Sequence, residues 1–592
     1  MSDAILTTLL QNQLDHISQQ MGWVMQRTAR SPIFSESHDF SCFIADADGR
    51  LVSVADGIPI HTGGGGFAVK AVLRDFGSIG SIRPGDTFIL SDPYEAGGNH
   101  LPDWTIINPV FVDGRLIAFT CNRAHQSDIG GGAAGTYNAA ATEIFHEGIR
   151  LPVLKLVEGG QLREDLWRLL KLNSRCPHLI DGDVRAMIGS TKIGARRIEA
   201  LTKEFGLETV EKAFSGILDH AERRMRKAIS ELPDGVYEGM DSSDTDCFEE
   251  IDIPVRVRVE IKGNTVLVDF TGSSQQVRGF KNSSLANTVS AVYVALFSYL
   301  DTTIPRNAGA FRPVTIVAPE GSVVNARYPA PMTSNTVYPA TEIIYAVWKA
   351  LAKVAADRAC AGWGKAAHCI SSGKDAEGAT YVMYHMHAYP GTGAVQGRDG
   401  FPSLGTVITL GGMQIPNVEV FERKYPVRVE QQEMRCDAAG AGEFRGGTGI
   451  DYKVTVFDGA EYSFRGEGSG RSSGFGIVGG LSGAKADVVV FDEQGTGMAT
   501  PRYGVMTLPA VKIAISSSAG GGWGRPIARP PEKVLRDVED GLVSLDEARE
   551  IYSVAINDNH STEMSIDWEA TSRLRDAAQS QKRWSAVDHS EL

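Results

Sequence analysis

Leu6, Leu9, Leu10, Leu14, Ile17, Met21 and Met25 recur at three- and four-residue spacing, which predicts an amphipathic helix of about six turns near the start of the chain. A stripe of this kind packs on a core or an interface. The period then shortens. Residues 41–44 and 50–54 read as a hairpin across Ala45-Asp46-Ala47-Asp48-Gly49, and residues 67–74 return to helical spacing. Residues 104–112 and 115–121 read as two strands joined at Asp113-Gly114, a dipeptide suited to a two-residue turn. Helices follow to about residue 230, where Leu232-Pro233-Asp234-Gly235 marks a joint. Short strands over 235–269, a helix over 286–300 and a largely helical run over 336–358 make the middle of the chain mixed. Residues 361–528 are rich in Gly, Val and Ile, with runs such as Tyr452-Lys453-Val454-Thr455-Val456-Phe457 that predict stacked antiparallel sheets. Residues 531–554 read as a small helix pair. The pattern predicts a multidomain α+β protein of mixed helices and antiparallel β-sheets, divided into 1–230, 231–360, 361–528 and 529–592.

Composition changes this picture only at its edges. With 592 residues the chain exceeds the size at which one hydrophobic core stops growing, and 42% hydrophobic with 22% charged residues is the balance of a folded protein. A formal charge of −14 argues against nonspecific binding to nucleic acid or an anionic membrane, leaving room for a local basic patch. Seven cysteines without Cys-x-x-Cys spacing point to buried thiols rather than a disulfide framework. The first thirty residues lack a secretory pattern and no window carries 18 apolar residues, so a cytoplasmic protein is expected.

The chemistry concentrates at the predicted hairpin, where His-x-x-Asp occurs twice, as His100-Leu101-Pro102-Asp103 and His125-Gln126-Ser127-Asp128. Symmetric pairing about Asp113-Gly114 brings Asp103 opposite Ala124 with His125 one residue on, so an imidazole and two carboxylates converge at the open end. These are donors that Zn²⁺, Mn²⁺ or Fe²⁺ accept. The alternative is a pair of loop histidines hydrogen-bonded to neighbouring carboxylates. Upstream, Gly63-Gly64-Gly65-Gly66 precedes a helix, but no Gly-x-x-x-x-Gly-Lys-[Ser/Thr] is present, and a closely packed or mobile loop outweighs a nucleotide cradle. His61, just ahead of those glycines, is read as a residue lining the site. Phe67, Phe76 and Trp104 would offer it apolar walls.

Several segments together resemble the hydantoinase B/oxoprolinase family: Arg27-Thr28-Ala29, His38-Asp39-Phe40-Ser41-Cys42, Asp92-Pro93-Tyr94, 98–103, Arg123-Ala124-His125 with Asp128-Ile129-Gly130-Gly131, Asp269-Phe270-Thr271-Gly272 and Arg445-Gly446-Gly447. The resemblance implies one component of an ATP-dependent hydrolase of cyclic amides such as lactams, hydantoins and 5-oxoproline. A hydantoinase A-like partner would bind ATP and Mg²⁺ and phosphorylate the amide oxygen, in a heterotetramer of two copies of each. Carried onto this chain, it implies Asp39, His100, Asp103 and His125 as ligands of Zn²⁺, or of Mn²⁺ or Fe²⁺. Asp128 becomes a carboxylate behind the ligands or the catalytic base, and His61 a second candidate catalytic residue. Two positions depart from the family pattern. Gln126 stands where a second His is common, which weakens a two-metal reading, and Arg525 follows Gly522-Trp523-Gly524 where many members carry Asp. The rival implied by the same resemblance is a subunit of an acetone- or acetophenone-type ketone carboxylase. A noncatalytic assembly subunit is the third class.

Overall fold

The computed structural model describes residues 3–54, 57–78, 80–471, 473–557 and 564–580, and the chain divides into two compact units. The first comprises Met1–Val347, Ile370–Tyr384 and Ile408–Asn417; the second comprises Trp348–Cys369, His385–Val407 and Val418–Leu592.

The first unit opens with helix α1 (Asp3–Thr28), the six-turn stripe read from the sequence, and a short turn of helix α2 (Pro32–Ser35). Its main sheet contains seven strands: β1 (Phe40–Asp46), β2 (Leu51–Val54), β3 (Thr87–Leu90), β4 (Asp103–Val112), β5 (Arg115–His125), β6 (Leu154–Glu158) and β7 (Gln161–Leu162). Their order is β2-β1-β5-β4-β3-β6-β7, and every neighbouring pair is antiparallel. Helices α3 (Pro59–Thr62) and α4 (Gly65–Phe76) lie between β2 and β3 in sequence; α5 (Glu164–Leu172), α6 (Pro177–Phe205) and α7 (Leu207–Ser230) follow the sheet.

β1 is buried along its whole length, so the sheet is covered on both faces. Side chains alternate across a strand, which assigns each face its cover. Even-numbered β5 residues meet α6: the Thr120 hydroxyl donates to the Thr191 carbonyl at 2.8 Å and the Asn122 amide to the Met187 carbonyl at 2.8 Å. Odd-numbered residues meet α4. Phe43, Ala45, Ile107, Phe119 and Cys121 form an apolar cluster there with Val69, Val72, Phe88 and Leu90.

A second sheet, β11-β10-β9-β8, is built from β8 (Gly235–Ser243), β9 (Ile253–Lys262), β10 (Thr265–Asp269) and β11 (Val314–Val317). Alternating burial along β9 leaves one face of that sheet toward solvent. Helix α8 (Leu285–Tyr299) is apolar on nearly all sides and buried. Its cap, Ser284, accepts the Asn287 N–H and also donates to the Asn99 carbonyl at 3.1 Å, tying the helix to the loop before β4. The glycine loop meets the same helix: a Cβ on Gly63 would stand 2.6 Å from Ser290 Cα. Close packing, rather than anion binding, accounts for that glycine. Strand β12 (Ala367–Lys374) and β13 (Thr380–Tyr384) pair antiparallel, with Ile370 opposite Tyr384.

In the second unit, β14 (Val427–Met434), β15 (Ile450–Val456), β17 (Asp487–Phe491), β18 (Gly497–Met498) and β20 (Val511–Ser516) form an antiparallel sheet ordered β14-β15-β20-β17-β18. Strands β16 (Ala460–Gly466) and β19 (Tyr503–Leu508) pair antiparallel as well. The helices Pro531–Glu539 and Leu545–Glu550 form the small C-terminal pair expected from the pattern. Among the described residues no helix is long and apolar enough to cross a membrane.

Candidate metal centre

The hairpin register differs by one residue from the symmetric pairing expected from its turn. Val112 pairs with Arg115 and Phe111 with Leu116, but Val110 pairs with Ala118, because a β-bulge gives β5 one extra residue. Every later pair is displaced, so Asp103 stands opposite His125 rather than Ala124. On the other side of β5, Phe40 pairs with Ala124, and the His125 N–H donates to the Asp39 carbonyl at 3.2 Å. Three adjacent strands thus deliver Asp39, His125 and Asp103 in one row. This row continues the face that carries Phe119 and Cys121, and polar residues replace the apolar ones as the strands leave α4.

The turn before β4 adds His100, whose Nε2 lies 2.9 Å from Asp103 Oδ1. Helix α3 adds His61, with Nε2 3.5 Å from Asp103 Oδ2 and 3.7 Å from Asp39 Oδ1. His61, His100, Asp103 and His125 are all buried. The ligand atoms of His100, Asp103 and His125 lie within 4.8 Å of one another, the one such metal-capable group among the described residues. Asp39 lies beside this triad without belonging to it.

Hydrogen bonding behind the rings assigns their tautomers. His100 Nδ1 is 2.6 Å from the Thr333 carbonyl, which can only accept, so Nδ1 carries the proton and Nε2 turns its lone pair toward Asp103. Tyr384 donates its hydroxyl proton to the Gly135 carbonyl at 2.9 Å and lies 3.1 Å from His125 Nε2, so that nitrogen donates to Tyr384. His125 Nδ1 is left unprotonated, 3.3 Å from Asp103 Oδ1. Two lone pairs therefore face one carboxylate oxygen. His100 Nε2 and Asp103 Oδ2 have no hydrogen-bond partner despite their burial. Orphaned buried atoms that converge in this way fit a cation held between them.

Without an ion, a proton competes for the same place between His100 and Asp103. Burial works against the Asp103 carboxylate, yet His100 and His61 hold its pKa well below the ordinary value. Burial likewise opposes charge on His100, and Asp103 overcomes it and raises that imidazole. The His61 pKa is lowered to about 4 by burial, so the ring is neutral at pH 7. Burial raises Asp39 to about 6.

Asp128 sits elsewhere. Its Oδ1 accepts the backbone N–H groups of Gly130 and Arg175, and its Oδ2 accepts Gly135 N–H and the Arg175 guanidinium, at 2.8–3.2 Å. The carboxylate shapes the glycine loop, and both of its oxygens are engaged. Trp104, adjacent to Asp103 on the strand, is fully buried, and strand alternation places it on the opposite face. Phe76 packs in the apolar cluster beside Phe88, so neither lines the centre.

The sequence assigns no role to three residues that support this cluster. The Arg123 guanidinium, fully buried, donates to Thr105 Oγ1, the His61 carbonyl and Asn99 Oδ1 at 2.9–3.0 Å, clamping three segments around the cluster. Burial lowers its pKa to about 10, which still leaves it charged. Glu147 accepts Met332 N–H at 3.0 Å and Thr333 N–H at 2.7 Å, and so aims the carbonyl that receives His100. Tyr384 lies 259 positions after His125. A buried Arg in a strand was a usable signal; Glu147 and Tyr384 carry no local pattern that marks them.

A buried, carboxylate-anchored histidine pair at the end of a central hairpin, on a multidomain α+β fold, is a group that could hold a metal ion. The chain belongs to the hydantoinase B/oxoprolinase family, whose model matches residues 3–526. It is similar to the caprolactamase subunit beta of Pseudomonas jessenii, with 33% identity over 575 residues covering 94% of this chain and 97% of that protein. The crystal structure of the ATP-dependent caprolactamase from Pseudomonas jessenii superposes with a TM-score of 0.88 at 31% identity, covering 97% of this chain and 99% of that one. A nucleotide-free acetone carboxylase structure matches with a TM-score of 0.88 at 19% identity, over 100% of this chain and 84% of that one, a likeness of fold alone.

Proposed function

We propose that this chain is the metal-carrying component of an ATP-dependent cyclic amide hydrolase that opens a lactam of the caprolactam class. It works with a hydantoinase A-like subunit that binds ATP and Mg²⁺, in an assembly of two copies of each. The observation that carries the reading is the pair of tautomer-fixed histidines turning lone pairs on Asp103 within a chain so similar to caprolactamase subunit beta.

An unactivated lactam resists water because its amide is resonance-stabilised; phosphorylation of the amide oxygen by the partner makes the ring carbon electrophilic. His100, Asp103 and His125 would hold the ion, with Zn²⁺ preferred over Mn²⁺ or Fe²⁺ for a nitrogen-rich set. When bound, such an ion acidifies water and stabilises developing oxyanion charge. Asp39, with its carboxyl raised to about 6 by burial, is suited to accept a proton near neutral pH, and in this reading it replaces Asp128 as base and is not a fourth ligand. His61, the second candidate catalytic residue, lies between the two carboxylates, 3.5 Å from Asp103 and 3.7 Å from Asp39, where it walls the site rather than bonding to Asp39. Asp128 keeps the glycine loop in shape.

The test combines the purified chain, its partner, ATP and a panel of lactams, hydantoins, 5-oxoproline and ketones, with labelled bicarbonate in half of the reactions. An unlabelled ring-opened amino acid is the expected product. Label in a ketone-derived acid would transfer the chain to the carboxylases.

A further inference from the structure

Away from the metal centre, α6 and the end of α1 enclose a groove of 520 Å³. Arg30, His178, Arg185, Lys192 and Arg196 wall it, against Asp181 as its one acidic lining residue. Asp181 is already engaged by Trp167 Nε1 at 2.9 Å, Lys171 at 3.3 Å and Arg185 at 3.0 Å. The side chains of Arg30, Lys192 and Arg196 are exposed and make no ion pair with any described residue. Lys192 and Arg196 are four residues apart on one helix face, an arrangement that repels. A chain of net charge −14 thus places two unpaired cations, Lys192 and Arg196, about 6 Å apart along one helix, with Arg30 beside them and the Asp181-paired Arg185 further along the same groove. The floor is shallow: a Cβ added at Gly189 would meet nothing. Next to it, α5 presents Leu172 at 84% and Leu169 at 46% exposure, and α5 is fixed to α6 through the Trp167–Asp181 bond.

We propose that this face, cationic along α6 and apolar at the end of α5, is the docking surface for an acidic segment of the ATP-binding partner subunit. The identity of the partner rests on the functional reading above; the acidity of its segment rests on charge complementarity. Exposed leucines beside a self-repelling cation row are poorly suited to solvent and well suited to a partner that brings carboxylates to the rim and apolar side chains to Leu169 and Leu172.

Affinity of the full chain for the purified partner, measured by calorimetry at low and physiological salt, tests this. The wild-type affinity should fall about tenfold from 50 to 200 mM salt. Lys192→Glu with Arg196→Glu should weaken binding about 100-fold at low salt and flatten the salt dependence, while Leu172→Asp should cost about tenfold. Metal content should stay at the wild-type level in each variant, showing that the fold persists. A control reversal on the second sheet, Arg256→Glu with Lys262→Glu, should leave affinity unchanged. Unchanged affinity in the α6 variant, or equal loss in the control, overturns the proposal. So does binding to anionic vesicles or nucleic acid that the α6 reversal abolishes while partner affinity is untouched. If the complex forms, responds to the reversal and opens no cyclic amide, the functional reading falls and the surface stands. If the α6 variant binds and turns over normally, the reverse holds.

Discussion

Each unit buries a group of histidines among aromatic rings, and only one of the two groups is built to hold a cation. In the first unit, His100 and His125 lie 5.1 Å apart by ring centroid with Asp103 between their lone pairs. In the second, His387 stacks on Tyr452 at 5.4 Å and meets Phe421 edge-on at 4.5 Å, while His385 Nδ1 lies 3.5 Å from the Tyr452 hydroxyl. His368 contacts Arg465 there, a cation where the other cluster has carboxylates. Burial, then His387, pushes His385 down to about 3, and burial with Arg465 holds His368 well below its ordinary value. Histidine number and burial are similar in the two places. The difference is the carboxylate of Asp103 at the focus, which brings the ring nitrogens into one group that could hold an ion.

The strongest way to break this contrast is Asp103→Ala. Removing the shared carboxylate should reduce metal content, by elemental analysis, below about a tenth of wild type and turnover by about 10³-fold or more. Full occupancy would show that the histidines suffice without the anion. Asp39→Asn should act differently: metal retained, and turnover reduced about 10²–10⁴-fold, as for loss of a general base. Metal loss in that variant would make Asp39 the fourth ligand implied by the family resemblance. Glu147→Ala should weaken metal affinity about 10–100-fold by releasing the Thr333 carbonyl from His100, and Glu147→Gln should recover part of it. Tyr384→Phe should cost about tenfold in affinity, near the low end for a supporting hydrogen bond, because His125 loses the acceptor that fixes its tautomer.

The hairpin, its turn and the nearness of His125 to Asp103 are legible in the sequence, because the strand period and Asp113-Gly114 are local signals. The sequence did not reveal the bulge. An extra residue in β5 costs no visible break in alternation, and only tertiary packing on both faces decides where it falls, so Asp103 was placed opposite Ala124. Asp39 was accessible only through family resemblance, although the β1–β5 register gives it a physical reason. Asp128 was overestimated for the converse reason: His-x-x-Asp repeats around both histidines, but the second aspartate faces its own loop and Arg175. Tyr384 depends on a contact across 259 positions, beyond any window of pattern reading.

A last test separates the clusters by proton linkage. His385 has a folded pKa of about 3 against 6.5 unfolded, so the unfolded state binds the proton more readily between those values. Its stabilising contribution is complete above pH 6.5 and declines as pH falls toward 3. From pH 7 to pH 5 the opening free energy of β15, followed by amide hydrogen exchange over Ile450–Val456, should drop by about 2 kcal/mol through this group. His385→Gln should remove that share of the slope, and a chelator should leave it unchanged, since no ion contributes. Over Arg115–His125 the chelator should alter the acid response, because protons there compete with an ion for the same lone pairs. A chelator-sensitive slope in β15, or a chelator-insensitive one in β5, would erase the distinction between a packed histidine cluster and a ligand cluster.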